Sequence, residues 1–477
     1  MKTINHLMKA GLSLLFISIL FSGCKKESDD SQQNDENLQY NLKITNPIDN
    51  YDVALGSKVT LCIEPDENMS YGDFEKHFYI DNQEINLNEI DIFDIDNIYY
   101  NNYAFEWNVS GLSPGSHTLK VEMVNGGTVE AREEITINIV NPKWEEIDIT
   151  ALTGGNNYYI NDVFLLNDQI GWIAGYNSTG SKFLLKTTDK GTTWQLVNSG
   201  LNIDKIAFYN ENTGVAIDNV GKVYKTFDGG ASYTLVTDPA TGASLFNNAM
   251  DISFSQTAGE YQVTARDIND NNKVFRVRLN DNVIIQYTDV MPDSSQLLYE
   301  MKFDGANGLI YGMEEDATDL QYIQLTTDNG QSWQGIPIPA PTDWLGGNNH
   351  FQVEGGAIVG NNIWLTGGDN SDYLSAFSAV SNDGGATWFI KTVENKLAFD
   401  TTSLFDVAIA GSGAYAVNFS AKYQPAMYYS NDNGNTWKPL YEVTTPADNQ
   451  HVNIVAFKDN NFGIATGDGI LYRYIGN

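Results

Sequence analysis

Cysteine is nearly missing from this chain. Only Cys24 and Cys62 occur among 477 residues, which excludes the disulfide framework of a small stapled domain and leaves stability to packing. Basic residues are scarce too: 27 Lys and Arg stand against 61 Asp and Glu, a formal charge of -34, so nucleic acid and anionic membrane surfaces are excluded as partners. The five histidines are scattered and no His/Cys spacing matches a zinc set. No metal and no cofactor is therefore expected. The apolar run at residues 10–21 is shorter than the ~20 residues that span a bilayer as a helix.

What is present begins with an address. Lys2 and Lys9 precede that short run in the manner of a secretory signal. It ends in Leu20-Phe21-Ser22-Gly23-Cys24, which resembles the lipobox of bacterial lipoproteins, with Phe21 where that family usually carries Leu. The resemblance implies a lipidated Cys24 as the mature N-terminus, held by several acyl chains. With Cys24 so used, Cys62 has no intramolecular partner and is expected to be an inert thiol. The segment KKESDDSQQNDEN that follows resembles the charged tether of surface-exposed Bacteroidetes lipoproteins, and its polarity favours disorder. These readings give a signal peptide at 1–23 and a tether at 24–39. They imply lipid anchoring at the outer membrane or cell surface after secretion.

Residues 40–141 alternate with period two: Val59, Leu61, Ile63; Phe105, Trp107, Val109; Leu119, Val121, Met123; Ile135, Ile137, Ile139. Such alternation turns one face of each strand into a core. About a hundred residues of short strands fit a β-sandwich, and GLSPGSHTLKVEMVN resembles the late strands of bacterial immunoglobulin-like domains. Asp91, Asp94 and Asp96 suggest a calcium loop, but the glycine and final glutamate of an EF-hand are missing. A polar loop is the simpler reading.

After Pro142 an octet recurs: TTDKGTTW at 187–194, TFDGGASY at 226–233, TTDNGQSW at 326–333, SNDGGATW at 381–388 and SNDNGNTW at 430–437. A carboxylate in third place can accept N–H groups from the turn behind it, and a glycine two residues later takes positive φ without steric cost. The closing aromatic starts the return strand. Each octet thus reads as a hairpin clamp between the last two strands of a four-stranded unit. The pattern resembles the Asp-box or BNR repeat of sialidases, sortilin-type ectodomains and propellers like the photosystem II assembly and stability factor. That resemblance implies structural roles for Asp189, Gly191, Trp194, Asp228, Gly230, Tyr233, Asp328, Gly330, Trp333, Asp383, Gly385, Trp388, Asp432, Gly434 and Trp437.

Spacing supplies the count. Asp228 and Asp328 are two repeats apart, so a unit without an octet lies between them, and the C-terminal phrase VNIVAFKDNNFGIATGDGILYRY lacks both an octet and a fourth strand. Residues 143–150, KWEEIDIT, look like the missing strand. The expectation is an all-β protein, an immunoglobulin-like β-sandwich followed at 142–477 by a seven-bladed β-propeller closed by 143–150.

Function is harder to read, because site chemistry must be argued apart from fold. In a four-stranded blade the octets face away from the mouth formed by the inter-blade links and the second-to-third-strand loops. Resemblance to sialidases would require an arginine triad drawn from several blades, yet only Arg266, Arg276, Arg278 and Arg473 are available and three crowd into one blade. Other glycosidases need two spaced carboxylates, which abundant acidic residues make uninformative here. The mouth offers Trp344, Asn348, Asn349, His350, Asp369, Asp372 and Tyr373, with Glu314, Glu315 and Asp316 nearby. Aromatics beside amides and carboxylates suit a sugar or peptide, though Trp344 packing under its own loop is an equal alternative. The reading is a noncatalytic binding or scaffold protein whose partner is a glycan or an envelope or extracellular protein. A glycoside hydrolase is the alternative.

Overall fold

The structure is a computed structural model that describes residues 38–69, 71–90, 103–255, 257–266, 272–290, 296–314, 320–339, 351–369, 376–393, 403–418, 426–443 and 451–476. Cys24, the N-terminal signal and the 91–96 aspartates lie outside these residues. Gln39–Asn477 forms one compact unit.

The first hundred of these residues build two sheets on a shared core. One sheet orders the strands Leu42–Asn46, Lys58–Pro65, Tyr103–Asn108 and Asn88–Ile90. The other contains Tyr51–Ala54, Glu75–Ile80, Gln83–Ile85, Gly115–Asn125 and Thr128–Val140. The alternating residues meet between them: Val59, Leu61, Ile63, Phe105 and Trp107 from one face, Leu119, Val121, Met123, Ile135 and Ile137 from the other. Cys62 points the opposite way and yet is fully buried, and that burial pushes its thiol pKa upward, which disfavours the reactive thiolate.

The rest of the chain is a β-propeller. Seven four-stranded antiparallel sheets follow one another among the described residues. Their innermost strands are Tyr158–Leu165, Ile203–Phe208, Ala249–Ser253, Gln296–Asp304, Phe351–Val359, Leu404–Ala410 and Val452–Asp459. The third sheet carries no octet. The last sheet takes its outermost strand from far back in the sequence: Trp144, Glu145 and Glu146 pair with Tyr474, Arg473 and Tyr472. That pairing is shorter than the 143–150 segment suggested, because after Ile147, whose N–H still bonds Leu471 O, Asp148 caps the N–H of Thr150 and a helical turn begins.

Side chains weld neighbouring sheets together. Trp172 of the first sheet stacks on Phe208 of the second at 3.7 Å between centroids and 3° between planes, while its indole N–H reaches Gly229 O at 3.0 Å. Trp144 lies 5.3–5.6 Å from the rings of Tyr415, Phe457 and Tyr474, sealing the last sheet with a large apolar area.

Candidate functional site

The octets are the most local structures in the molecule. In the first, Asp189 Oδ1 accepts from the Thr187 hydroxyl at 2.9 Å and from the Thr193 N–H at 2.8 Å. Its Oδ2 accepts from the Thr193 hydroxyl at 2.6 Å, and Thr187 Oγ1 in turn accepts the Gly191 N–H at 2.9 Å. The same set recurs around Asp228, Asp328, Asp383 and Asp432. These donors stabilise the ionised form. The Ser232 hydroxyl and N–H pull Asp228 down to about 2, and the Thr387 pair does the same for Asp383. Asp328 also falls to about 2, its Ser332 bonds overcoming an upward push from burial.

Two further features fix where the octets lie and why the glycine is needed. The fourth residue of each of four octets donates its N–H to the turn after that sheet's first strand: Lys190 to Gln169 O, Gly229 to Asn212 O, Asn329 to Ala306 O and Gly384 to Asn361 O. The octets therefore sit at that end of the sheets, away from the inter-sheet links. The glycine has φ of +78° to +97° at 191, 230 and 385, and the octet presses on the preceding sheet: a Cβ on Gly230 would meet Leu184 Cδ2 at 2.5 Å, one on Gly385 would meet Leu325 Cδ1 at 2.5 Å. Sequence reasoning supplied the turn but not this second duty as a spacer between sheets. With every carboxylate saturated by its own loop, the octets offer a ligand little.

The residues named at the mouth fare differently. Trp344, Asn348, Asn349, His350, Asp372 and Tyr373, with Glu315 and Asp316, lie outside the described residues; Glu314 and Asp369 are described only as the ends of strands Asn307–Glu314 and Asn362–Asp369. Three of the four propeller arginines are paired locally. Arg276 pairs with Glu260 at 2.6 Å, Arg278 with Asp281 at 2.6 Å and Arg473 with Glu145 at 2.7 Å.

A different constellation occupies the centre of the ring. Every innermost strand carries a β-bulge near its start, at Asn161, Asp204, Met250, Tyr299, Glu354, Phe405 and Asn453. A bulge re-aims the side chains behind it. The residues immediately after are Asp162, Lys205, Asp251, Glu300, Gly355, Asp406 and Ile454. Four carboxylates and, with Lys302, two ammonium groups thus line one cavity of about 230 Å³. Gly355 contributes no side chain because a Cβ there would lie 2.5 Å from Thr366 Oγ1 and 2.7 Å from Asp406 Cα.

Within this channel the charges are arranged in two ways. Three aspartates bridge to the next sheet: Asp162 accepts the Ile206 N–H at 2.7 Å, Asp251 the Met301 N–H at 2.5 Å and Asp406 the Val455 N–H at 3.0 Å. Glu300 instead sits between cations, with Lys205 Nζ at 2.7 Å, Lys302 Nζ at 2.6 Å and the Tyr311 hydroxyl donating at 3.0 Å. Burial raises the aspartates, Asp251 and Asp406 to about 7, against the opposing pull of the lysines. Burial pushes Glu300 upward as well, but Lys205 and Lys302 outweigh it and hold this carboxyl low. Burial would lower the lysines, and the surrounding carboxylates keep both raised. The cluster is partly open to solvent at one point: the Lys302 and Glu300 side chains keep 41% and 25% of their surface exposed. Among the described residues no group of His, Cys, Asp and Glu is arranged to hold a metal ion.

Sequence reasoning missed this ring. The signal was one or two charged residues inside largely apolar phrases, as in INDVF, DKIAF, YEMKF and LFDVA. It was diluted because the residue type changes from one phrase to the next.

No family model matches the chain. A stretch of 173 residues, 31% of this chain, is 29% identical to the vacuolar protein sorting/targeting protein PEP1 of Saccharomyces cerevisiae, of whose length the match spans 10%. Over 303 residues, 52% of this chain and 77% of the relative, it is 27% identical to the photosystem II assembly lipoprotein Ycf48 of Picosynechococcus. A solved structure described as YCF48 bound to D1 peptide aligns with 70% of this chain and 96% of that chain, at 14% identity and a TM-score of 0.49. By its own succession of four-stranded sheets the chain is a β-propeller, and over about half its length it resembles the photosystem II assembly lipoprotein.

Proposed function

We propose that this protein is a noncatalytic binding scaffold: a lipid-anchored, surface-exposed lipoprotein with an immunoglobulin-like stalk and a seven-bladed propeller whose channel mouth holds a segment of an envelope or extracellular protein. The observation that carries the reading is the central channel. Its carboxylates outnumber its lysines four to two in a cavity open to solvent, and a basic side chain entering from a partner would draw Asp251 and Asp406, raised to about 7 by burial, into their ionised form. The bridging aspartates are engaged by backbone N–H groups of adjacent sheets, an arrangement suited to shaping a socket. The similarity to an assembly lipoprotein, and a structural neighbour described with a peptide bound, agree with a protein ligand.

The test uses an array of peptides from envelope and extracellular proteins of the same cell, each lysine-bearing peptide duplicated with norleucine. Full-length protein should bind a subset that loses at least about tenfold on the norleucine exchange, with weaker binding by Asp162→Asn. Binding indifferent to both changes overturns the channel as the socket. A glycan array run in parallel, with Trp344→Ala and Tyr373→Ala, decides the ligand class: sugar binding lost in those variants would replace a protein ligand with a glycan.

A further inference from the structure

The two globular parts of the chain are joined by more than their linker. Thr60 and Cys62 lie on the face of their strand opposite the sandwich core, where solvent would be expected, yet they are 1% and 0% exposed. Tyr441, which follows the outermost strand Lys438–Pro439 of the sixth propeller sheet, is a propeller side chain that reaches into the sandwich. It is 2% exposed and belongs to the apolar cluster of the sandwich, with its ring edge-on to Tyr51 at 6.5 Å. Its hydroxyl donates to Asn46 Oδ1 at 2.7 Å, and Asn46 Nδ2 donates to Thr60 O at 2.5 Å.

The next residue leads directly to the seam of the ring. Glu442 Oε2 accepts the N–H of Lys143 at 2.5 Å. Lys143 O accepts the N–H groups of Ile475 at 2.7 Å and Gly476 at 3.1 Å, and Trp144 then begins the pairing with Tyr474. The sandwich strand Thr128–Val140 ends three residues before that closing strand. A continuous line of contacts therefore runs from Asn46 through Tyr441, Glu442 and Lys143 to the C-terminal strand.

We infer that the sandwich is a latch on the propeller: by gripping Tyr441 it holds Lys143 and the closing strand in register, and so keeps the ring and its channel shut. A closing strand of three residues is a weak seam alone, since short terminal elements open first. Anchoring both the strand's entry and the adjacent sheet in a buried core suppresses that opening.

Hydrogen exchange on the full-length protein tests this. Tyr441→Phe keeps the ring but leaves the buried Asn46 oxygen without its donor, a loss that translates into about tenfold faster opening. Amides of residues 144–147 and 471–476 should exchange about tenfold faster, while those of the third sheet at 261–265 stay unchanged. Tyr261→Phe, which removes a buried hydroxyl lacking a hydrogen-bond partner, is the control and should not accelerate the seam. Seam amides that exchange equally in wild type and Tyr441→Phe overturn the latch. A second result that does so needs no variant: sandwich amides opening in wild type while the seam keeps full protection.

Discussion

The octet rim and the central channel use one residue type in opposite ways. In both, an aspartate accepts a backbone N–H. At the rim the carboxylate gathers that bond together with two hydroxyls from its own loop while remaining near solvent, so its charge is favoured. In the channel Asp251 and Asp406 receive their N–H bonds deep inside the ring, and desolvation outweighs what those bonds return. Hydrogen bonding alone does not set an aspartate's charge. Its supply of water does.

The largest effect expected from breaking this contrast comes from the rim's geometry. Gly385→Ala meets both a positive φ of +88° and Leu325 at 2.5 Å, and should cost about 2–4 kcal/mol in denaturant unfolding. Gly360→Ala, with φ +59° in open space, should cost only about 1 kcal/mol.

Next in size is the response to pH, which has opposite signs in the two regions. Asp251 and Asp406, with Glu354 and Glu442, are raised to about 7 chiefly by burial. Their protonated forms favour the folded state, so this stability is complete below the unfolded value of about 4 and disappears as pH rises through 7. Each contributes on the order of 2 kcal/mol between pH 5 and pH 8, less in sum because the channel groups share one field. The rim aspartates at about 2 contribute above about pH 4 and lose that contribution as pH falls through 2. Thermal unfolding across pH 2 to 9 should therefore peak on the acid side of neutrality. Asp406→Asn, which removes one of the groups raised to about 7, should flatten the alkaline limb, and Asp383→Asn the acid limb.

Smaller still is a pair of substitutions at Asp328. Asp328→Ala removes the acceptor of three hydrogen bonds at a site near solvent and should cost about 2 kcal/mol, Asp328→Asn about 1 kcal/mol as charge assistance is lost. The smallest effect belongs to Tyr233, the one octet aromatic that is not tryptophan. Its buried hydroxyl has no hydrogen-bond partner, so Tyr233→Phe should be neutral or stabilise by up to about 1 kcal/mol.

How much of this was legible in the sequence depends on distance along the chain. The octet speaks plainly because its bonds close within eight residues, and the sandwich core because alternation survives from Val59 to Ile63 and from Ile135 to Ile139. The boxless third sheet could be placed by spacing. The channel could not be read, because a bulge in each first strand interrupts the alternation just where the charge stands, and the residue there changes from Asp162 to Lys205 to Gly355. Tyr441 was invisible for a third reason: its partner Asn46 is 395 residues away. The aromatic mouth around Trp344 and Tyr373 lies outside the described residues and is carried forward in the proposed glycan test.

The most direct test of the contrast is a carboxyl-resolved titration by NMR of the folded protein, with Asp251, Asp406, Asp228 and Asp383 assigned by substitution. The account predicts midpoints near 7 for the two channel aspartates and near 2 for the two rim aspartates. Channel midpoints in the ordinary carboxylate range, at or below those of exposed aspartates, would contradict it.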